Sequence, residues 1–66
     1  MATKSVERLL TSDEVAEILG VDRRTVPQWR YRGYGPDWVK IGTHVRYRPQ
    51  DVEAYIAAHV RKPSRP

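Results

Sequence analysis

The sequence contains no cysteine and no long run of apolar residues among its 66 positions. The absence of cysteine excludes a disulfide framework and any metal site built on thiolates. The first segment, MATKSVERLL, lacks the apolar stretch of a secretory signal, and no apolar run approaches the length needed to cross a bilayer. We therefore expect a soluble, cytoplasmic protein with no membrane partner.

The side-chain combinations that enzymes use are also missing. A chain of 66 residues allows one domain with a small core, which is too small to surround a substrate cleft. The sequence offers no Ser-His-Asp arrangement and no cluster of metal ligands, and His59 is predicted to be a packed surface histidine because no partner ligand is in sight. We predict that the protein is not an enzyme and needs no cofactor, metal or small-molecule ligand.

Positive charge is concentrated in the middle of the chain. The formal net charge is +4, but residues 1–22 carry two Lys or Arg against five Asp or Glu. Residues 23–48 carry seven Lys or Arg against Asp37 alone. Such a concentration is expected of a surface that follows a phosphate backbone. The alternative interpretation is an ordinary solvated, charged face.

The first helix has clear start and stop signals. Thr11 and Glu14 have the T-x-x-E spacing of a capping box, in which each side chain bonds the other residue's amide. Apolar residues then recur at helical spacing, and Gly20 is suited to a left-handed C-cap. These signals predict a helix over residues 12–19.

A second, basic helix follows the glycine turn. Asp22 is its expected N-cap, and the helix runs to about Arg32. Pro27 predicts a tight or kinked first turn, because proline lacks an amide hydrogen. Val26 and Trp29 form the inward side, and core packing of Trp29 is favoured over a role as a stacking platform for single strands. The order of helix, glycine turn and basic helix is that of a helix-turn-helix.

Residues 38–47 alternate like the two strands of a hairpin. A three-residue loop is preferred to a two-residue turn, because pairing Ile41 with Val45 collects the apolar side chains on one face. Lys40 and Arg46 are then expected to lie together on the outer face.

A third helix is expected from Pro49, which suits the first helical position. Its predicted buried stripe consists of Val52, Tyr55, Ile56 and His59. The predicted fold class is therefore mainly α with a small β-hairpin, a winged helix-turn-helix over residues 9–59. Residues 1–8 are expected to be a flexible N-terminus, and residues 60–66 a disordered basic tail.

The outer face of the second helix carries side chains that suit a DNA major groove. Arg24 and Gln28 lie four residues apart, so they can face neighbouring base pairs, where Arg prefers guanine and Gln prefers adenine. Arg23, Arg30 and Arg32 are expected to hold phosphates. The hairpin is interpreted as a wing for the minor groove, or alternatively as a solubilising edge. The predicted DNA-binding residues are Arg23, Arg24, Thr25, Gln28, Tyr31, Arg32, Lys40, Thr43, His44 and Arg46.

Two long segments carry family-like motifs, LLTSDEVAEILGVDRRTVPQWR and GYGPDWVKIGTHVRYRPQDVEAYI. The motifs are L-T-x-x-E-V-A-x-x-L-G-V, T-V-x-x-W-R, and V-K-I-G-x-x-V-R-Y followed by D-V-E-A-Y. Over residues 9–58 the chain resembles the excisionase family of small winged helix-turn-helix proteins, which are related to the DNA-binding domains of the MerR superfamily. Its compact architecture is similar to that of excisionases from actinobacterial phages. Pro27 departs from the family pattern, which usually has a tyrosine or a polar residue there.

The resemblance implies that the helix carried here by Arg23–Arg32 enters the major groove, and that the wing carried by Thr43–Arg46 meets the minor groove. It further implies that several copies bind adjacent sites, bend the attachment DNA and steer a phage integrase toward excision. The expected partners are double-stranded DNA, other copies of the chain and an integrase. A small transcriptional regulator with the same fold and a protein-interaction adaptor are the alternatives.

Overall fold

Three helices and one hairpin make up the computed structural model, which describes residues 8–63. In chain order the elements are α1 (Ser12–Leu19), α2 (Thr25–Arg32), β1 (Val39–Ile41), β2 (His44–Arg46) and α3 (Pro49–Ala58). Most of the predicted N-terminal segment, residues 1–7, and the end of the predicted tail, residues 64–66, lie outside the described residues.

The predicted bounds of α1 are confirmed, and its caps explain them. The Thr11 amide donates to Glu14 Oε1 at 2.8 Å, and the Glu14 amide donates to Thr11 Oγ1 at 3.1 Å. Gly20 ends the helix in the left-handed conformation, with a φ of 73°. The hydrogen bond from the Thr11 backbone amide, aided by the nearby Arg8 charge, lowers the pKa of Glu14 below its ordinary value.

The start of α2 differs from the prediction. Its N-cap is Arg24, and the predicted N-cap at Asp22 is wrong. The Asp22 carboxylate accepts a hydrogen bond from the Arg24 amide at 2.8 Å, so it stabilises the turn before the helix. In the expected tight turn, the Thr25 amide donates to the Asp22 carbonyl at 2.9 Å. Pro27 is then the third helical residue, where an amide has no partner within the helix, and the helix tolerates it.

The hairpin has a two-residue turn, and the predicted three-residue loop is wrong. The observed antiparallel pairs are Ile41–His44, Lys40–Val45 and Val39–Arg46. Gly42 has a φ of 61°, and no non-glycine residue in the described part of the chain has a positive φ. This pattern places glycine at the first turn position, as in a type II′ hairpin turn, whose twist matches that of the strands.

The observed register separates the two basic residues of the hairpin. Residues directly opposite each other in an antiparallel pair share a face. Lys40 therefore lies with Val45, which packs against the core, whereas Arg46 lies with Val39 on the other face. The expectation that Lys40 and Arg46 form one outer ridge is wrong. Ile41, expected inside, is 55% exposed on the face that carries Arg46.

The core is small and contains Tyr47, which is 1% exposed. The backbone of Tyr47 forms an isolated antiparallel β-bridge with Leu10, in which each amide donates to the other residue's carbonyl at 2.8 Å. The buried hydrophobic residues are Val15, Ala16, Val26, Tyr47 and Val52. Partly buried residues that pack against them are Leu10, Leu19, Val21, Trp29 and Val45. The assignment of Val26 and Trp29 to the inward side of α2 is therefore confirmed.

The third helix begins at Pro49 as predicted, but it buries less than expected. Of its predicted stripe only Val52 is buried, since Tyr55 is half-buried and both Ile56 and His59 are exposed. The His59 ring packs on Tyr55 with a centroid distance of 4.2 Å, in agreement with a packed surface histidine. The buried part of α3 is therefore Val52 alone, which packs in the core with Val15, Val26 and Tyr47.

Two helices joined by a glycine turn, followed by a hairpin and a third helix, make a winged helix-turn-helix, and the predicted fold class is confirmed. No helix in the stretch from 8 to 63 is long and apolar enough to cross a bilayer.

The contribution of the α1 capping box to stability can be tested by mutation and by changing the pH. Thr11→Ala should lower the free energy of unfolding by about 1 kcal/mol, because the Glu14 amide loses its acceptor. Since the pKa of Glu14 is lowered in the folded chain, its stabilising contribution is complete above the ordinary value of about 4.3 and is lost as the pH falls through the lowered value. Urea unfolding across this range checks both effects.

In the same measurements Glu14→Gln should flatten the acid dependence, and Glu17→Gln, an exposed position on the same helix, serves as the control. A Thr11→Ala variant as stable as the parent chain would contradict this account of the cap.

The loop after α2 makes a second prediction. A Cβ at Gly35 would lie 2.9 Å from Cε3 of Trp29, whereas a Cβ at Gly33 would meet nothing within 4 Å. Both glycines have a positive φ, so each alanine variant should lose about 1–2 kcal/mol of stability. Gly35→Ala should lose about 1–3 kcal/mol more, because it must displace the tryptophan. Urea unfolding compares the two, and equal losses would show that the loop does not press on Trp29.

Candidate nucleic-acid interface

The outer face of α2 points away from the core. Val26 is fully buried and sets the inward direction of the helix. Gln28 is exposed, and Tyr31 is 94% exposed. The Arg24 side chain, at the N-cap, is 85% exposed although its Nε lies 3.4 Å from Asp22 Oδ1. Three of the predicted DNA-binding side chains, those of Arg24, Gln28 and Tyr31, are therefore accessible to solvent.

Two of the three arginines expected to hold phosphates, Arg23 and Arg32, lie near the two ends of α2, and Thr25, another predicted DNA-binding residue, is its first residue. Arg23 and Arg32 are exposed, and Thr25 is half-buried. Salt bridges between described residues join Arg8 to Glu14, Arg24 to Asp22 and Arg48 to Asp51. Among residues 8–63, therefore, Arg23 and Arg32 have no carboxylate partner, and their guanidinium groups are accessible to an anion.

Arg30 is not placed like the other arginines of α2. It is half-buried, its Nη1 donates to Tyr47 Oη at 3.2 Å, and its guanidinium lies 5.7 Å from the centroid of the Trp38 ring. The sequence predicts a phosphate contact for Arg30, as for Arg23 and Arg32, but it does not predict this half-buried placement. The signal that could have indicated it is the position of Arg30 four residues after Val26, which turns it toward the core side of the helix.

The predicted wing residues divide between the two faces of the hairpin. Lys40, Thr43 and His44 are exposed, and Arg46 is half-buried, with its Nη1 donating to the Val45 carbonyl at 2.8 Å. His44 and Arg46 are two residues apart on one strand, so they share a face. Lys40 lies on the opposite face. The wing therefore has a cationic side chain on each side.

The charge of the two core helices differs in sign. The helix α1 carries Asp13, Glu14 and Glu17 and has no Lys or Arg, whereas α2 carries Arg30 and Arg32 and has no Asp or Glu. A polyanion is attracted to the second helix and repelled by the first. The electrostatic pattern therefore favours an approach of nucleic acid from the side of α2.

Comparison with protein families matches residues 9–60 to a family described as a helix-turn-helix domain. The chain belongs to this helix-turn-helix family. The family includes excisionase-like small DNA-binding proteins, and membership implies binding to double-stranded DNA. No curated protein and no solved structure matches the chain. The helix-turn-helix assignment rests on the family match together with the exposed basic face of α2.

The predicted division of the arginines at α2 into base-reading and phosphate-holding residues can be tested once a preferred site has been selected from a pool of random duplexes. Arg24→Ala should weaken binding to that site by about 1–3 kcal/mol and change binding to random DNA little. Arg32→Ala should weaken both alike and reduce the slope of log affinity against log salt by about one unit. An unchanged ratio of specific to random affinity in Arg24→Ala would remove Arg24 from the base-reading set.

Proposed function

We propose that this helix-turn-helix domain is a sequence-specific, DNA-bending excisionase, which binds phage attachment-site DNA cooperatively and directs an integrase toward excision. The observation that carries the proposal is the exposed outer face of α2, with Arg24, Gln28 and Tyr31, on a helix held to the core by Val26. The family's inclusion of excisionase-like proteins supports it. In this proposal the domain has no enzymatic activity and acts on DNA in the host cytoplasm.

The base-reading role falls to α2 in the major groove. Arg24 and Gln28 offer the forked donor and the amide pair that suit guanine and adenine. Tyr31 lies beside them and can contact a base edge or a thymine methyl group. Arg23, Thr25 and Arg32 hold the sugar-phosphate backbone and fix the register of the helix on the duplex.

The hairpin occupies the adjacent minor groove, with Thr43 and His44 at its tip. A minor groove is bounded by one phosphate backbone on each side, and the hairpin carries Lys40 on one face and Arg46 on the other. The observed register places Lys40 and Arg46 on opposite faces of the hairpin and not on one ridge. This placement supports contacts from the hairpin to both strands of a narrow groove.

The small size of this interface favours cooperative binding. One short helix and one hairpin bury a modest area, so a single copy binds weakly at physiological salt. Neighbouring copies can share the cost of bending the duplex, which smooth elastic estimates put at about 1–6 kcal/mol. Several copies on adjacent sites therefore achieve an occupancy and a bend that one copy does not.

Gel shifts on fragments with one site or two adjacent sites test the architectural part of the proposal. The two-site fragment should fill cooperatively, and the mobility of the complex should change when the sites are moved along the fragment, because the DNA is bent. In a recombination assay, the chain should allow a cognate integrase to recombine left and right attachment junctions.

Independent filling, with a mobility that does not depend on site position, would contradict the architectural role. Sequence-specific binding combined with no effect on recombination would favour a small transcriptional regulator instead.

A further inference from the structure

We propose that Arg30, held in place by Tyr47 and Trp38, is a preorganised phosphate anchor for the DNA strand that passes between α2 and the hairpin. The inference rests on the proposed DNA-binding function and deepens it, because it names a backbone site that joins the reading helix to the wing.

Arg30 of α2 contacts the residue directly before β1 and the residue directly after β2. Trp38 immediately precedes β1, and its ring lies 5.7 Å from the Arg30 guanidinium. Tyr47 immediately follows β2, and its hydroxyl accepts a hydrogen bond from Arg30 Nη1 at 3.2 Å. The guanidinium is therefore fixed at the base of the hairpin by one residue from each strand end.

Among the described residues, no carboxylate pairs with the Arg30 guanidinium. Within the described chain the salt bridges involve other arginines, and Arg30 meets a phenol and an aromatic face. A guanidinium has five N–H donors, of which the Tyr47 hydroxyl takes one. Because the half-buried group is less screened by water than an exposed arginine, an arriving phosphate gains a stronger interaction with it.

A cleft lined in part by Arg30 has room for a phosphodiester. It has a volume of about 610 Å³ and is lined by Pro27, Gln28, Arg30, Tyr31 and Trp38. Gln28 and Tyr31 also belong to the outer face of α2, so the cleft adjoins the proposed base-reading surface. Trp38 is 41% exposed and offers its ring to the apolar side of a deoxyribose.

The geometry of duplex DNA explains why a backbone site belongs here. When a helix lies in the major groove and a wing in the adjacent minor groove, one strand's backbone passes between them. Arg30 lies between α2 and the hairpin base, so a phosphate bound to it would set the spacing of the two reading elements. Tyr47 and Trp38 act as positioning residues through Arg30.

The test measures binding of a fluorescently labelled, mixed-sequence duplex, short enough for one copy, at several salt concentrations. Arg30→Gln should weaken binding roughly tenfold and reduce the salt slope by about 0.9. Tyr47→Phe keeps the ring in the core and should weaken binding roughly threefold at an unchanged slope, because the anchor keeps its charge but loses a restraint. Arg61→Gln, at an exposed arginine beyond α3, is the control for simple loss of charge.

A double-mutant cycle distinguishes a role of Tyr47 in positioning Arg30 from a general effect of Tyr47 on the stability of the fold. In the Arg30→Gln background, Tyr47→Phe should cause no further loss of affinity. The proposal is overturned if Arg30→Gln and Arg61→Gln reduce affinity and slope equally, or if Tyr47→Phe weakens binding just as much when Arg30 is absent. Failure of the DNA-binding function itself is distinguishable, because the unmodified chain would then show no salt-dependent binding to the duplex.

Thermal melts followed by circular dichroism establish that each variant is folded. If Arg30→Gln does not fold, Tyr47→Phe and Arg30→Lys decide the question. Both should weaken binding without changing the salt slope, since each keeps the charge and disturbs its placement. Parent-like affinity in both variants would overturn the proposal.

Discussion

The packing of Tyr47 is the constraint on which the other elements depend. The chain has no phenylalanine, and Tyr47 is the largest of its fully buried side chains within the described residues. Its backbone pairs with Leu10 ahead of α1, its ring lies in the core with Val26 of α2, and its hydroxyl accepts from Arg30. One residue thus fixes the end of the hairpin relative to the segment before α1 and to the basic helix.

This constraint leaves the outer face of α2 available for DNA. Because Val26 and Trp29 are turned inward, the helix presents Gln28 and Tyr31 to the surroundings. Gly35 allows the loop after α2 to run close against the Trp29 ring, which packs against the core. In the proposed mode of binding, sequence specificity and folding therefore use different faces of the same short helix, and changes on the outer face need not disturb the core.

The elements that local signals determine are predicted correctly from the sequence, and those that a distant contact determines are not. The Thr11 capping box fixed α1 in advance, since both partners are three residues apart. Asp22 was misassigned because an aspartate that caps a turn resembles one that caps a helix. The predicted hairpin register is wrong because it collects the apolar side chains on one face, whereas Gly42 prefers the first position of a two-residue turn. The hydrogen bond between Arg30 and Tyr47 joins residues 17 positions apart, so no local sequence pattern predicts it.

The central claim is that duplex DNA meets the outer face of α2 and the hairpin, while the acidic helix α1 stays outside the interface. The most direct measurement is a titration of the isotopically labelled chain with a short duplex, followed through the chemical shifts of its backbone amides. The account predicts the largest changes over residues 24–32 and 40–46, with small changes over residues 13–18. Changes concentrated in α1 and α3, with α2 and the hairpin unaffected, would contradict it.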